Sequence, residues 1–413
     1  MDPDLLAPAT LADPYPVLAE LRERAPVHWS ERYRAWLLTR YDDCDAAHRD
    51  SRFSSDRITP VLRRLEAQGG SDALIRTLRV LAGWMVFKDG AEHRRLRGLV
   101  ARAFTPRAVA SMQATVERLA DELIDALADD AEADLVRDLA FPLPAIVIAE
   151  MLGVAPADRD RFKAWSEDVA ALVFGAADDA QRHERATSGM GQLVEYFHGL
   201  IDAAEREPKE DLLGHLVGVR TAEGDALTRD ELVAMCTLLL FGGHETTTNL
   251  LSSGVLALVR HPEQAARLRD DPALAQRAVE ELMRFDGPAR ISARVVTEEL
   301  ELRGETLRAG DRAYLVLAAA NRDPERFERP DELELGRDPN PHIGFGIGRH
   351  YCLGAPLARL EAAIVIPRVL ERLANLRLAE DRLAWQPTLL SRSLAALVVR
   401  YEAHATTARP RRR

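Results

Sequence analysis

Along most of the chain, apolar residues recur every three to four positions, the spacing of helices that bury one face. It predicts helices over residues 14–24, 41–49, 92–103, 106–129, 141–152, 159–174, 184–206 and 211–219, with Pro106 suited to the first turn of its helix. Three stretches alternate instead. "PVHWSERYRAWLLTR" (26–40) predicts a short hairpin, and "LELRGETLRAGDRAYLVLA" (300–318) and "SLAALVVRYEA" (393–403) predict short strands. Residues 51–90, with Gly69, Gly70 and Gly83 among apolar positions, read as a flexible loop with some helix. The expected fold class is mainly α, a large helical lobe with a smaller β-rich part and no Pro/Gly/Ser linker between them.

Composition narrows the function. With 413 residues, 47% hydrophobic and 29% charged, the chain can bury a sizeable core. A net charge of -11 excludes general nucleic-acid binding, which needs surplus positive charge. Against that background Arg94, Arg95, Arg97, Arg102 and Arg107, with only Glu92 opposing them, form a basic island and a candidate docking face. Cys44, Cys236 and Cys352 form no paired motif, so a disulfide framework and a cysteine-rich zinc site are not expected. The first 20 residues lack a secretory pattern and no apolar run is long enough to span a bilayer, so the expectation is a soluble cytoplasmic protein without membrane association. The basic segment near the C-terminus, about 405–413, is expected to be a flexible, solvated tail.

Three stretches carry chemistry. "MCTLLLFGGHETTTNLLSSGVLALV" (235–259) predicts one long helix interrupted in character by Gly242–Thr247. Each glycine there costs up to about 1 kcal/mol relative to alanine, so either another element approaches closely or the helix opens. Thr246 lies four residues after Gly242, placing its hydroxyl within reach of that carbonyl. A glycine-mediated helix crossing with a satisfied polar pair, and a proton relay through Glu245 and Thr246, both fit this pattern. "VEELMRF" (279–285) puts Glu281 and Arg284 on one helical face. "FGIGRHYCLG" (345–354) precedes a helical pattern over 353–372. It fails as a dinucleotide loop, since from Gly344 or Gly346 the last glycine position holds Arg349 or Tyr351, and it has no G-K-[ST]. Cys352 at a helix N-terminus, among glycines whose N–H groups can face the sulfur, suits a metal thiolate. A lone thiolate without three companion ligands suggests haem over zinc.

The spacing F-x-x-G-x-x-x-C-x-G, met by Phe345, Gly348, Cys352 and Gly354, resembles the haem-binding motif of the cytochrome P-450 family. In chain order with it stand Gly242–Thr246, which resembles the family's [AG]-G-x-[DE]-T, and the E-x-x-R of Glu281 and Arg284. "EHRRLR" resembles the helix that holds the haem propionates, and "ANRDPERFERPDELELGRDPNPH" the meander before the cysteine loop. The resemblance covers nearly the whole chain and implies a single domain over 1–413, with haem b between the long central helix and the cysteine loop.

Residue by residue, the resemblance implies Cys352 as axial iron ligand and Phe345, Gly346 and Gly354 around it. It implies His93, Arg97, Arg294 and His350 on the propionates, and Glu281, Arg284 and Arg337 as a structural triad. Thr246 and Glu245 become the oxygen-activation pair. The implied activity is a haem-thiolate monooxygenase that activates O2 with two externally supplied electrons and hydroxylates or epoxidises a hydrophobic small molecule. Oxidative coupling or rearrangement without oxygen insertion, and a non-catalytic haem-thiolate sensor, are the alternatives. Electrons are expected from NAD(P)H through a ferredoxin reductase and a ferredoxin docking on the basic island, with the enzyme a monomer. The substrate pocket is expected from parts of 74–87, 165–195, 241–246, 289–293 and 389–394, with Trp84, Met85, Phe241, Gly242, Ala289, Arg290, Ile291 and Leu390 as lining residues. Arg290 is the one charge there that could anchor a substrate carboxylate, a surface role being its other reading. Two departures from the family pattern stand out: Gly242 replaces the commoner alanine, making room over the haem, and "KDGAEH" replaces D-P-P-x-H, so a more mobile loop is expected there.

Overall fold

In the computed structural model, which describes residues 2–127, 131–174, 180–221 and 224–403, the helical periodicity translates into helices packed around one long helix, Arg229–Arg260. That helix opens with a capping box, the Thr228 hydroxyl accepting from Glu231 N–H and the Glu231 carboxylate accepting from Thr228 N–H, an arrangement that contributes about 1 kcal/mol. Gly254 is a point of close approach: a Cβ there would meet Ile366 at 3.1 Å and Leu282 at 3.2 Å. The helices Ala275–Asp286 and Ala355–Arg372, which carry the E-x-x-R pair and follow the cysteine loop, therefore lie directly against the central helix.

The strands are β1 (Val27–Ser30), β2 (Ala35–Leu38), β3 (Phe53–Ser54), β4 (Glu132–Asp134), β5 (Ser292–Val296), β6 (Leu300–Leu302), β7 (Glu305–Leu307), β8 (Arg312–Leu315), β9 (Leu373–Leu378) and β10 (Val398–Ala403). They form a five-stranded sheet ordered β1-β2-β8-β5-β3, a three-stranded sheet β4-β10-β9 and the hairpin β6-β7. The larger sheet joins the N-terminal region to residues 292–315, since β2 runs parallel to β8 with Ala35 opposite Arg312, and β3 pairs with β5.

Two local expectations are corrected. Residues 51–90 are mostly helical, with helices Thr59–Gln68 and Asp72–Gly83. Gly69, at φ +72°, ends the first helix in the left-handed conformation that favours glycine, so the glycines punctuate two helices and do not dissolve them. The helix expected over 106–129 is two, Pro106–Ser111 and Gln113–Leu127. Residues 405–413, expected to be a flexible tail, lie outside the described residues.

Candidate active site

A cavity of about 390 Å³ opens where the central helix, the segment Met85–Phe87, β5 and the cysteine loop converge, within the range of about 300–1,000 Å³ typical of small-molecule sites. Among the described residues the only large hydrophobic side chains left exposed are Val86 and Tyr351, and both line it. Such exposure at a concave site fits a surface that a ligand covers.

The cysteine loop is built by two left-handed glycines. Gly346 (φ +70°) and Gly348 (φ +67°) turn the chain so that Cys352 N–H donates to the Phe345 carbonyl at 2.9 Å, closing the loop around the sulfur. Gly354 is the N-cap of the following helix, 3.9 Å from Sγ at its would-be Cβ. Cys352 is exposed to the cavity yet deep within protein. That depth pushes its thiol pKa up, while the N–H groups of Gly354 and Ala355 and the charges of Arg97 and Arg359 pull it down. A metal that binds this sulfur therefore also takes over the deprotonation. The Phe345 ring is buried and covered by the Arg359 guanidinium, 4.4 Å from its centroid.

The cations implied as propionate partners gather on the same cavity. His93 and Arg97 stand one turn apart on helix Gly90–Ala103, Arg294 lies on β5, and His350 belongs to the loop. Their hydrogen-bonding groups are poorly met by protein. Arg294 donates only to Ser292 Oγ and the Ala293 carbonyl, and Arg97 has no ion-pair partner among the described residues. His93 Nδ1 is buried without a hydrogen-bond partner, and its ring lies 4.1 Å from that of His350. Burial, then His350 and Arg97, hold His93 down to about 4, and burial with Arg57 holds Arg294 down to about 10. Among the described residues only His350 of these four forms an ion pair, with Asp89 at 3.6 Å, whose pKa is lowered to about 2 by the hydrogen bonds of His350, Ser54 and Ser55 against the effect of its own burial. Asp89 also ties down the loop expected to be mobile, accepting from Ser54 Oγ and Ser55 N–H. A cysteine sulfur plus orphaned cationic donors is the donor set that a haem with two propionates satisfies.

On the central helix, Thr246 Oγ1 donates to the Gly242 carbonyl at 3.0 Å and lines the cavity. The two glycines divide the roles left open by the sequence. A Cβ at Gly243 would come within 2.9 Å of Ile148, so this glycine allows helix Pro142–Met151 to cross, whereas Gly242 faces open space on the cavity wall. Glu245 is half-buried and engaged, and is not among the lining residues. His244 is buried, bonded to the Leu240 carbonyl and Ser166 Oγ.

Of the pocket residues expected from sequence, Trp84, Met85, Phe241, Gly242, Ala289, Ile291 and Leu390 line the cavity. Trp84 is fixed there by a 2.9 Å bond to Thr237 Oγ1 and by stacking on Phe87. Arg290 does not line it. Its side chain turns to the Leu5 carbonyl at 3.0 Å and is 1% exposed, so neither the pocket nor the surface reading stands. Burial and Arg392 hold it down to about 10. The N-terminal segment that draws it away packs on this region from the far end of the sequence, which no local pattern announces. Among described residues of the expected stretch 165–195, only Val173 reaches the cavity. Sequence reasoning missed Arg57, His48, Ser55, Phe104, Thr247 and Leu250 in the lining; Arg57 stands among Ser54, Ser55, Asp56, Arg63 and Arg64, where one more charge carries no signal.

The structural triad is a direct contact. Glu281 receives Arg284 through two 2.8 Å bonds and Arg337 Nε through two 3.1 Å bonds, with Asn340 and the Glu334 N–H completing its shell. The basic island is thinner than its sequence suggests: Arg95 pairs with Asp225 and Glu231, Arg97 turns to the cavity, and Arg94, Arg102 and Arg107 remain exposed. Among the described residues no helix is long and apolar enough to cross a membrane.

Comparison with known proteins agrees with this geometry. The family model described as cytochrome P450 matches residues 178–380. Cytochrome P450 monooxygenase PikC of Streptomyces venezuelae is 41% identical over 398 residues, covering 94% of this chain and 91% of that protein. Among solved structures, P450BioI in complex with acyl carrier protein ligated to hexadec-9Z-enoic acid superposes with a TM-score of 0.88 at 36% identity, over 95% of this chain and all of that one. The myxobacterial CYP267B1, in complex with myristic acid, gives 0.87 at 38% identity, over 98% and 100%. Cysteine loop, cationic rim, fold and relatives converge, and the chain belongs to the cytochrome P450 family, as a haem-thiolate monooxygenase with a haem-iron cofactor.

Proposed function

We propose that this chain holds haem b through Cys352, with His93, Arg97, Arg294 and His350 on its propionates, and inserts one oxygen atom of O2 into a long, apolar small molecule by hydroxylation or epoxidation. The observation that carries this reading is the single cavity shared by the Cys352 sulfur, the Thr246 hydroxyl and unpaired cations, with apolar walls from Trp84, Phe87, Phe241, Ile291 and Leu390. That two structural neighbours are complexes with fatty acyl groups supports an extended aliphatic substrate.

When bound, the haem would supply the redox and O–O cleaving chemistry, which a thiolate ligand such as Cys352 would favour. The chain's own part is positional. The N–H groups of Gly354 and Ala355 stabilise charge on the cysteine sulfur. The apolar walls hold substrate and keep water away from the reacting centre. Thr246 Oγ1 keeps its proton on the Gly242 carbonyl and delivers it by rotating toward the cavity, and Glu245 on the half-buried side of the helix resupplies it. Electrons come from an acidic ferredoxin steered by Arg94, Arg102 and Arg107, to an enzyme that acts as a monomer in the cytoplasm.

The test is turnover with a surrogate ferredoxin and reductase. Addition of a ligand that shifts the haem spin state is expected to raise NADPH consumption and yield a product heavier by one oxygen atom. Spin-shifting ligands that raise neither contradict oxygen insertion.

A further inference from the structure

A fifth cation on the cavity wall is not accounted for by the haem. Arg57 precedes helix Thr59–Gln68, and its guanidinium lies 5.0 Å from the centroid of Phe87 while lining the cavity. Among the described residues it makes no hydrogen bond or ion pair. Asp56, the preceding residue, accepts from Thr59 N–H, and Asp89, which contacts the lining residues Ser55 and His350, is already shared by Ser54, Ser55 and His350. Burial pushes Arg57 down from its ordinary value with only Tyr314 opposing, and Arg57 in turn depresses Arg294. A half-buried guanidinium left without an anion inside a ligand cavity is a recognition element for one, because a charge drawn partly out of water gains most from a paired counter-charge. Two propionates already have four partners in His93, Arg97, Arg294 and His350. Arg57 instead stands beside the aromatic and aliphatic wall of Met85, Phe87, Ile291 and Leu390.

We propose that Arg57 is a specificity residue that binds the free carboxylate of the substrate, so that this enzyme takes an aliphatic acid, anchored at Arg57 with its chain along the apolar wall toward Thr246. This rests on the monooxygenase reading and names the substrate class for it.

The test compares dodecanoate with its methyl ester at pH 8 on the haem-loaded wild-type, Arg57→Gln and Arg57→Lys proteins, by spin-state titration and by calorimetry. Wild type is expected to prefer the acid. Arg57→Gln should weaken acid binding by about tenfold or more, a change of at least about 1.4 kcal/mol, and leave the ester unchanged, with partial recovery in Arg57→Lys. Wild-type protein without preference for the acid overturns the proposal, as does an equal loss of acid and ester in Arg57→Gln. Faster haem loss from Arg57→Gln to apomyoglobin with an unaltered acid-to-ester ratio assigns the carboxylate to the haem and also overturns it. Because calorimetry reads acid binding without the haem spectrum, Arg57-dependent binding in a protein lacking a thiolate-type spectrum breaks the haem reading alone.

Discussion

Two clusters of arginines, one buried in the fold and one lining the cavity, differ in how their charges are met. Arg284 and Arg337 share the Glu281 carboxylate and spend their remaining N–H groups on the carbonyls of Asn321, Glu328, Arg329, Pro330 and Glu332. Among the described residues Arg57, Arg97 and Arg294, around the cavity, form no ion pair with a carboxylate. Charges buried in a protein must be paired and hydrogen-bonded. The first cluster meets that demand internally and so belongs to the fold, fastening helix Ala275–Asp286 to the meander. The second leaves the demand open, and only something bound can meet it. In these two clusters, the presence or absence of a carboxylate partner separates the structural arginines from the functional ones.

The strongest way to break this distinction is to unbalance the satisfied cluster. Glu281→Gln leaves two buried guanidinium groups without their counter-charge and should cost about 3–5 kcal/mol, read as a lowered urea midpoint of unfolding and poor haem retention. A variant as stable as wild type would show the cluster to be incidental. On the cavity side, Thr246→Ala removes a hydroxyl that the fold does not need and should spare stability. Product formation per O2 consumed should fall, by up to about a hundredfold in rate, with peroxide accumulating in its place.

A finer contrast lies within two adjacent residues. Gly243→Ala drives a Cβ into Ile148 and should destabilise by about 1–3 kcal/mol, whereas Gly242→Ala faces open space, keeps or slightly raises stability, and narrows the cavity. Thermal melts and ligand titration of the two variants separate packing from binding; identical behaviour would erase the distinction. The smallest effect concerns Glu280, buried enough to resist ionisation but held down to about 2 by the hydrogen bonds of Arg359 and His342. Its carboxylate is depressed, so its contribution is complete above the unfolded value near 4.5 and is lost as pH falls toward 2. Glu280→Gln should therefore lower stability modestly at pH 7 and flatten the acid limb of a stability-against-pH curve, the variant and wild type converging as pH falls toward 2.

Most of this was legible in the sequence because it was local. The helix Tyr41–Arg49 appears where the periodicity put it, and the cysteine loop follows from its glycine spacing. The Thr246 hydroxyl bonds the Gly242 carbonyl as an i, i+4 relation predicts. What escaped depended on distant segments. Arg290 sits in a pocket-like run of apolar residues, yet the Leu5 carbonyl captures it across 285 positions. Arg57 lay in a stretch where Gly69 and Gly70 obscured two helices, and its meaning emerged only from the absence of an acid around it, a fact about neighbours that no sequence pattern carries.

The most direct test of the account is the visible spectrum of the purified, reduced protein under carbon monoxide, beside that of Cys352→Ala. The account predicts a strongly red-shifted Soret band that disappears in the variant while its circular dichroism stays that of a folded helical protein. A haem-loaded Cys352→Ala with the same band, or a wild-type chain that takes up no haem, would contradict it.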